Sequence, residues 1–303
     1  MKKIINSINH VLKQKNFLDN RLTLKQEKFL EENGYLIIKD TKSFWRDIGT
    51  TPSQLNNILE KLIKKEGIFA GSEGKERIVK KNKKSIEEGA IRISNLINKK
   101  EIFRKIAQNP KIINCLFAIL KDEIKLSCMY AREPIAKKRQ QEIHIDWFPR
   151  NKESDKYGEA IAIIYLDDSN EANGTTKLVP KSHKLLSYPA KYINPKIKKY
   201  KKEININVKS GSILICNSNI WHRGGENKNG KRRRAIFIDY RRRELKQLLN
   251  TKKYLDKRII KELSLVEKYL FAVRNIDPRQ KEDSFGPGDE YRKWLKRNPQ
   301  FKY

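Results

Sequence analysis

The chain reads as mainly β with flanking helices, its core a cupin-like jelly roll. Three observations predict this. From about residue 124 to 240 the sequence breaks into short alternating or continuously apolar stretches separated by turn signals, as antiparallel strands require. The first third carries helical periodicity instead. The histidines and carboxylate that could act together sit on two strand-like stretches far apart in the chain, and a doubled sheet would bring them together while hiding its edges. Residues 1–122 are then a helical part packed on the barrel, 123–243 the jelly-roll core, and 244–303 a C-terminal helix and tail, all within one integrated domain.

In chain order, Thr23-Leu24-Lys25-Gln26 is a capping box, and Asn33-Gly34 stops the helix it opens. Leu24, Phe29 and Leu30 give that helix its apolar stripe, and Tyr35-Leu36-Ile37-Ile38 is a strand. Thr51-Pro52-Ser53-Gln54 starts a second helix with Pro at its first position, where no amide hydrogen is needed. Leu55, Ile58, Leu59, Leu62 and Ile63 continue it at helical spacing. Residues 67–84 are rich in Gly and Lys and predict a surface loop, after which Ser85 and Asn109-Pro110 each open a helix. Alternation begins at Ile124-Lys125-Leu126-Ser127-Cys128-Met129-Tyr130. Residues 160–166 are apolar throughout, as a strand covered on both faces must be. Asn173-Gly174 is a hairpin turn signal. After Tyr240 one helix is expected through Leu245, Leu248, Leu249, Tyr254, Leu255, Ile259 and Ile260, then a tail punctuated by Pro and Gly.

The 303 residues include 68 Lys or Arg and 36 Asp or Glu, a net charge of +32. Gathered on one face, such charge would suit nucleic acid or anionic lipid. The lysines run instead from Lys2 to Lys302 in a sequence also rich in Asn and Ile, the pattern of a biased composition, so a small-molecule partner is expected rather than nucleic acid. The runs best placed to form a basic face are Lys137-Lys138-Arg139 and Arg241-Arg242-Arg243, and both would equally suit an anionic small substrate. Cys115, Cys128 and Cys216 are odd in number, far apart and without zinc-ligand spacing, which argues against a disulfide framework. No signal peptide or membrane span is read, and the expectation is a cytoplasmic protein.

The residues that carry chemistry start at Gln141-Glu142-Ile143-His144-Ile145-Asp146-Trp147. In a strand, His144 and Asp146 point to the same face. His222 lies 76 positions after Asp146, beyond the run Gly211-Ser212-Ile213-Leu214-Ile215-Cys216-Asn217. Two imidazoles and one carboxylate on one side of an ion, with the opposite positions open, form the facial triad of non-haem Fe(II) oxygenases. An H-x-D pair alone is also what a strand-end histidine bonded to its neighbour would give.

The sequence from His222 to Phe237, His-Arg-Gly-Gly-Glu-Asn-Lys-Asn-Gly-Lys-Arg-Arg-Arg-Ala-Ile-Phe, closely resembles the phytanoyl-CoA dioxygenase family. There the distal histidine is followed by Asn five residues on, Arg eleven on, and a small residue opening the next strand; His222, Asn227, Arg233 and Ala235 fit. Residues 167–184, with Asn173-Gly174 and Pro180-Lys181-Ser182-His183, are similar to another block of the family, except that Lys181 stands where Gly is usual. The resemblance spans residues 22–243 and implies a double-stranded β-helix. It also implies Fe(II) held by His144, Asp146 and His222, 2-oxoglutarate as co-substrate with its distal carboxylate on Arg233, O2 as oxidant, and succinate and CO2 as products. A bidentate guanidinium fork suits that carboxylate task. Strand alternation turns Arg232 and Arg234 to the other face. His183 competes for the second histidine role, but it follows a Pro-initiated turn, lacks the downstream Asn and Arg, and is expected to be structural. Related halogenases carry a small residue at the position of Asp146, so its carboxylate points to hydroxylation of an unactivated C–H. Two alternatives stay open: an oxygenase acting on nucleic acid, and a non-catalytic basic binding module on a decayed jelly roll.

Overall fold

The computed structural model describes residues 7–66, 90–137 and 140–273. The expected loop over 67–84, the helix start at Ser85, Lys138-Arg139 and the tail from 275 to 291 lie outside these residues. Helices α1 (Ile8–Leu12), α2 (Lys15–Leu18) and α3 (Leu24–Asn33) precede strand β1 (Tyr35–Ile38), followed by α4 (Lys42–Ile48) and α5 (Pro52–Glu66). Strand β2 (Ala90–Ile93) leads to α6 (Glu101–Ala107) and α7 (Pro110–Leu120). The core strands are β3 (Ile124–Pro134), β4 (Glu159–Tyr165), β5 (Thr176–Val179), β6 (Ile204–Asn205), β7 (Ile213–Asn217), β8 (Trp221–Gly224) and β9 (Ala235–Arg242). Helices α8 (Thr251–Tyr254), α9 (Lys257–Glu262) and α10 (Leu265–Leu270) close the described chain.

The strands form a six-stranded sheet in the order β1-β7-β4-β9-β3-β2 and a three-stranded sheet in the order β6-β5-β8. All pairings are antiparallel. This is the double-stranded β-helix, with its larger sheet buried on both sides. Ala160, Ala162, Ile164, Ile213, Ile215, Ile236 and Ile238 face the helices, in one core with Leu30, Leu55, Leu59, Leu116 and Leu120. Ile161, Ile163, Tyr165, Leu214 and Cys216 face the smaller sheet. Two-sided burial explains why residues 160–166 show no polar alternation. Each fully buried Ile or Leu contributes about 1.5–3 kcal/mol, so the larger sheet is a rigid floor for whatever stands on it.

The capping box at Thr23 and Gln26 is present, and Asn109 caps α7 by accepting from Lys111. Gly34 ends α3 in the left-handed region (φ +80), where a Cβ would also lie 2.4 Å from Nδ1 of His183. Strain and overlap act together here, so Gly34→Ala should destabilise the fold by about 2–4 kcal/mol. Urea unfolding of Gly34→Ala and of Gly34→Ala/His183→Ala checks this, the double variant recovering the share due to the ring. Lys181, where the family has Gly, keeps the left-handed conformation (φ +68), its amide donating to Asn33 O at 3.0 Å and its Nζ lying 2.6 Å from Glu32 Oε1.

Three expectations are corrected. Asn173-Gly174 does not close a hairpin, because β4 and β5 belong to different sheets. The turn crosses between them, with Asn173 Nδ2 donating to Asp168 O and Gly174 so close to β8 that a Cβ would meet Gly225 O at 2.7 Å. The single C-terminal helix is three short ones. Its expected start is bound to a bulge in β3, where the register shifts between Leu126 and Cys128. The amides of Leu248 and Leu249 donate to Ser127 Oγ (2.9 Å) and Ser127 O (3.0 Å), so residues 247–249 serve the sheet instead of a helix. Helices restart only at the caps Asn250, Asp256 and Ser264. Finally, Arg241-Arg242-Arg243 forms no basic patch: Arg241 is buried against Glu159, Arg243 is buried against backbone carbonyls and the Tyr269 ring, and Arg242 pairs with Glu244 at 3.0 Å.

Candidate metal centre

His222 stands on β8, whose short alternation sends it and Gly224 into the space between the sheets and Trp221 and Arg223 outward. Each outward residue has its own anchor. The Trp221 amide donates to the Ser182 hydroxyl at 2.8 Å, and its ring meets Tyr192. Arg223 is buried, pairs with Glu203 and donates to Ile197 O at 2.6 Å. These bonds fix the strand from behind and so aim His222.

The H-x-D segment is less regular than the strand its spacing suggests. A single antiparallel bridge joins His144 to His222, each amide donating to the other's carbonyl at 3.0 Å. The amides of Asp146 and Trp147 then converge on Ser218 O at 2.9 and 3.2 Å. Pinned at both residues, His144 and Asp146 reach the same cavity as His222. Asp146 Oδ1 lies 3.7 Å from His144 Nε2, and its Oδ2 lies 3.3 Å from His222 Nε2. The three ligand atoms all fall within 4.8 Å of one another.

The far side of each imidazole settles its tautomer. His144 Nδ1 is 2.8 Å from Glu142 O, and His222 Nδ1 is 3.0 Å from Ile220 O. A carbonyl only accepts, so each Nδ1 carries a hydrogen and each Nε2 is the nitrogen turned toward Asp146 and left for an ion, the second-layer arrangement typical of metal-bound histidines. The surrounding protein disfavours charge on Asp146, but the contacts with His222 and His144 prevail and hold its carboxyl well below the usual range. Burial and the neighbouring His222 lower the pKa of His144; at His222 burial is outweighed by the Asp146 carboxylate, which raises it. Separations of this size suit donors sharing one ion at bonds of about 2 Å. His144 and Asp146 still expose 37% and 36% of their side chains, so a ligand can reach an ion held there.

The cavity, about 200 Å³, also contains Arg233. Its neighbours in sequence are engaged elsewhere: Arg232 pairs with Asp167 at 3.0 Å, and Arg234 with Glu133 and Glu60 at 2.6 and 3.0 Å. Arg233 itself is 5% exposed, its Nε has no partner, and among the described residues no acid pairs with it. Burial pushes its guanidinium down to about 10. A buried cation without a counter-ion is costly. An anionic ligand in the cavity would supply one, and the distal carboxylate of 2-oxoglutarate has the shape for it.

The family model for phytanoyl-CoA dioxygenase (PhyH) matches residues 30–235. This chain belongs to the phytanoyl-CoA dioxygenase family. It is therefore an iron- and 2-oxoglutarate-dependent oxygenase. Solved structures with the same fold include HygX from Streptomyces hygroscopicus with nickel and 2-oxoglutarate bound (TM-score 0.54, 14% identity, 73% of this chain and 88% of that one). The alpha-ketoglutarate-dependent carbocyclase SnoK from nogalamycin biosynthesis is similar at TM-score 0.54, 16% identity, 75% and 86% coverage. EctD from S. alaskensis with bound Fe gives 0.56, 14%, 76% and 80%. HygX has also been solved with hygromycin B bound. No helix among the described residues is long and apolar enough to cross a membrane.

His183 stands apart from the cavity. It is buried at the turn after Pro180, with Nε2 donating to Glu31 O at 3.2 Å, Nδ1 without a partner and its ring near Tyr157. Burial pushes it down to about 4. The unfolded chain, with an ordinary histidine near 6.5, takes up this proton first. Stability is thus complete above pH 6.5 and falls between 6.5 and 4, by an amount on the order of 2–3 kcal/mol. His183→Gln should flatten that part of the acid limb, which denaturant midpoints measured across the window will show. Asn227 is a loop staple, donating to Lys231 O at 2.9 Å and accepting from Gly230 N at 3.0 Å. Sequence reasoning passed over Tyr130, Arg132 and Thr176, and gave Gln141 no role, though all line the cavity. The first two were findable: they sit two apart in an alternating strand and so share one face.

Proposed function

We propose that His144, Asp146 and His222 hold the iron, that Arg233 binds the distal carboxylate of 2-oxoglutarate, and that the enzyme hydroxylates an unactivated C–H of a small organic substrate. One observation carries this reading: a buried guanidinium without an acid shares a cavity with two imidazoles whose Nε2 atoms converge on one carboxylate. Bound iron and 2-oxoglutarate supply the oxidising power, 2-oxoglutarate and O2 giving succinate and CO2 while the second oxygen atom enters the substrate as a hydroxyl. The protein's residues position the partners. The Glu142 and Ile220 carbonyls accept from Nδ1 of His144 and His222 and so orient each ring with its Nε2 toward the ion. Arg233 fixes one end of the co-substrate by a charge-assisted pair. Ile161, Ile163, Ile220 and Phe237 form apolar walls that limit water.

The test is succinate release from 2-oxoglutarate by the Fe(II)-loaded enzyme in air, expected to proceed slowly even without the primary substrate. Asp146→Ala should reduce it by about two orders of magnitude or more, since one of three ligands is gone. Succinate formation independent of Asp146 would contradict the assignment.

A further inference from the structure

The cavity holds a second guanidinium that the roles above leave unused. Arg132 lies on β3 opposite Ala235 of β9, on the same inward face as Tyr130, whose ring stacks on Phe237 at 5.0 Å. Three buried arginines have acids: Arg223 has Glu203, Arg234 has Glu60 and Glu133, and Arg241 has Glu159. Arg132 has none within 4.0 Å among the described residues. Among the described residues its one hydrogen-bond contact is to Gln141 Oε1 at a marginal 3.5 Å, and that oxygen already accepts from Gly224 N at 2.8 Å. Its Nε is enclosed without a partner. Arg132 lines the same cavity as His144, Asp146 and His222, so it lies close to the reaction centre.

The chemistry of this wall is one-sided. With Gln141 Oε1 turned to the Gly224 amide, the amide nitrogen of Gln141 joins the guanidinium as a donor. Arg132 and Gln141 therefore offer donors and no free acceptor. Charge points the same way. A divalent ion, Asp146 and the 2-oxoglutarate dianion together leave one negative charge, and Arg233 cancels it. Arg132 then stands as an excess cation in a confined space, and a single carboxylate would balance it, whereas a phosphate dianion would overshoot.

We propose that Arg132, assisted by the Gln141 amide, anchors a carboxylate of the primary substrate, so that the enzyme acts on a small carboxylic acid. This rests on the oxygenase reading above. The carboxylate could also be the metal-side carboxylate of 2-oxoglutarate, and the experiment separates the two. Wild type, Arg132→Gln, Arg132→Lys and Arg233→Ala are loaded with Fe(II) under anaerobic conditions and titrated with 2-oxoglutarate. The ternary complexes are then titrated with two matched pairs, phenylacetate with phenylacetamide and hexanoate with hexanamide.

Wild type should bind each acid about tenfold or more tightly than its amide, as a charge-assisted pair predicts. Arg132→Gln should lose that preference while its affinity for 2-oxoglutarate stays within about twofold of wild type. Arg132→Lys keeps the charge without the fork and should retain part of the preference; it carries the test if Arg132→Gln fails to fold. The proposal is overturned if acid and amide bind wild type alike, or if the preference survives in full in the variants. It is also overturned if Arg132→Gln weakens 2-oxoglutarate as much as Arg233→Ala does, because the carboxylate would then be the co-substrate's. A wild type that binds 2-oxoglutarate but shows no acid preference refutes this inference alone. One that binds neither iron nor 2-oxoglutarate refutes the oxygenase reading, and the inference falls with it.

Discussion

His222→Ala will empty the protein of iron, and His183→Ala will leave it loaded. The two residues are both histidines near the end of a family-like block, but their surroundings differ. His222 turns its Nε2 toward Asp146 at 3.3 Å, with its other nitrogen already bonded to Ile220 O. His183 faces the Glu31 carbonyl and Gly34, and among the described residues it joins no cluster of metal donors. Removing one ligand of three leaves a two-point site, and affinity should fall by about two orders of magnitude or more, beyond what loss of an outer-layer partner costs. Metal content after anaerobic loading and desalting decides the matter, since iron retained in His222→Ala would mean the ion sits elsewhere.

Arg233→Ala should weaken 2-oxoglutarate by about 2–5 kcal/mol with iron still bound, because a buried charge pair is truncated on one side. Its neighbours provide the controls. Arg232 is half-exposed on Asp167, and its removal should leave co-substrate affinity unchanged. Arg234 is buried between Glu60 and Glu133, so Arg234→Ala should lower stability instead. Arg233→Ala has the opposite signature in the ligand-free protein: deleting a buried, uncompensated cation should leave thermal stability unchanged or raised. Stability gained together with affinity lost is the mark of a residue kept for binding. If Arg232→Ala or Arg234→Ala carries the large loss in affinity, the co-substrate is held in a different register.

Much of this was legible in the residues, for reasons that can be named. Local signals with short reach held well: the Thr23 capping box, the Asn109-Pro110 start and the apolar run at 160–166 each depend on neighbours in sequence. The resemblance located Arg233, and alternation set it apart from Arg232 and Arg234. What was not legible depends on partners far away. The 245–249 stretch has the apolar spacing of a helix, yet a bulge at Ser127, over a hundred residues earlier, takes its amides. Arg241 and Arg243 look like a surface run because nothing nearby announces Glu159 or the carbonyl of Ile124. Asn173-Gly174 has hairpin chemistry, but which sheet receives the next strand is decided by long-range pairing with β8 and β6. Arg132 lies just past the stretch Ile124–Tyr130 read as a strand, which in the fold runs on to Pro134, and its meaning required knowing that no acid faces it.

On the reading proposed above, one cavity holds iron and 2-oxoglutarate together, through the triad and Arg233. Anaerobic calorimetric titration of 2-oxoglutarate into Fe(II)-loaded and metal-free protein tests it most directly. The structure predicts one equivalent bound per chain, with affinity that falls sharply when the metal is absent. Equal binding with and without iron, or no binding to the loaded protein, would contradict it.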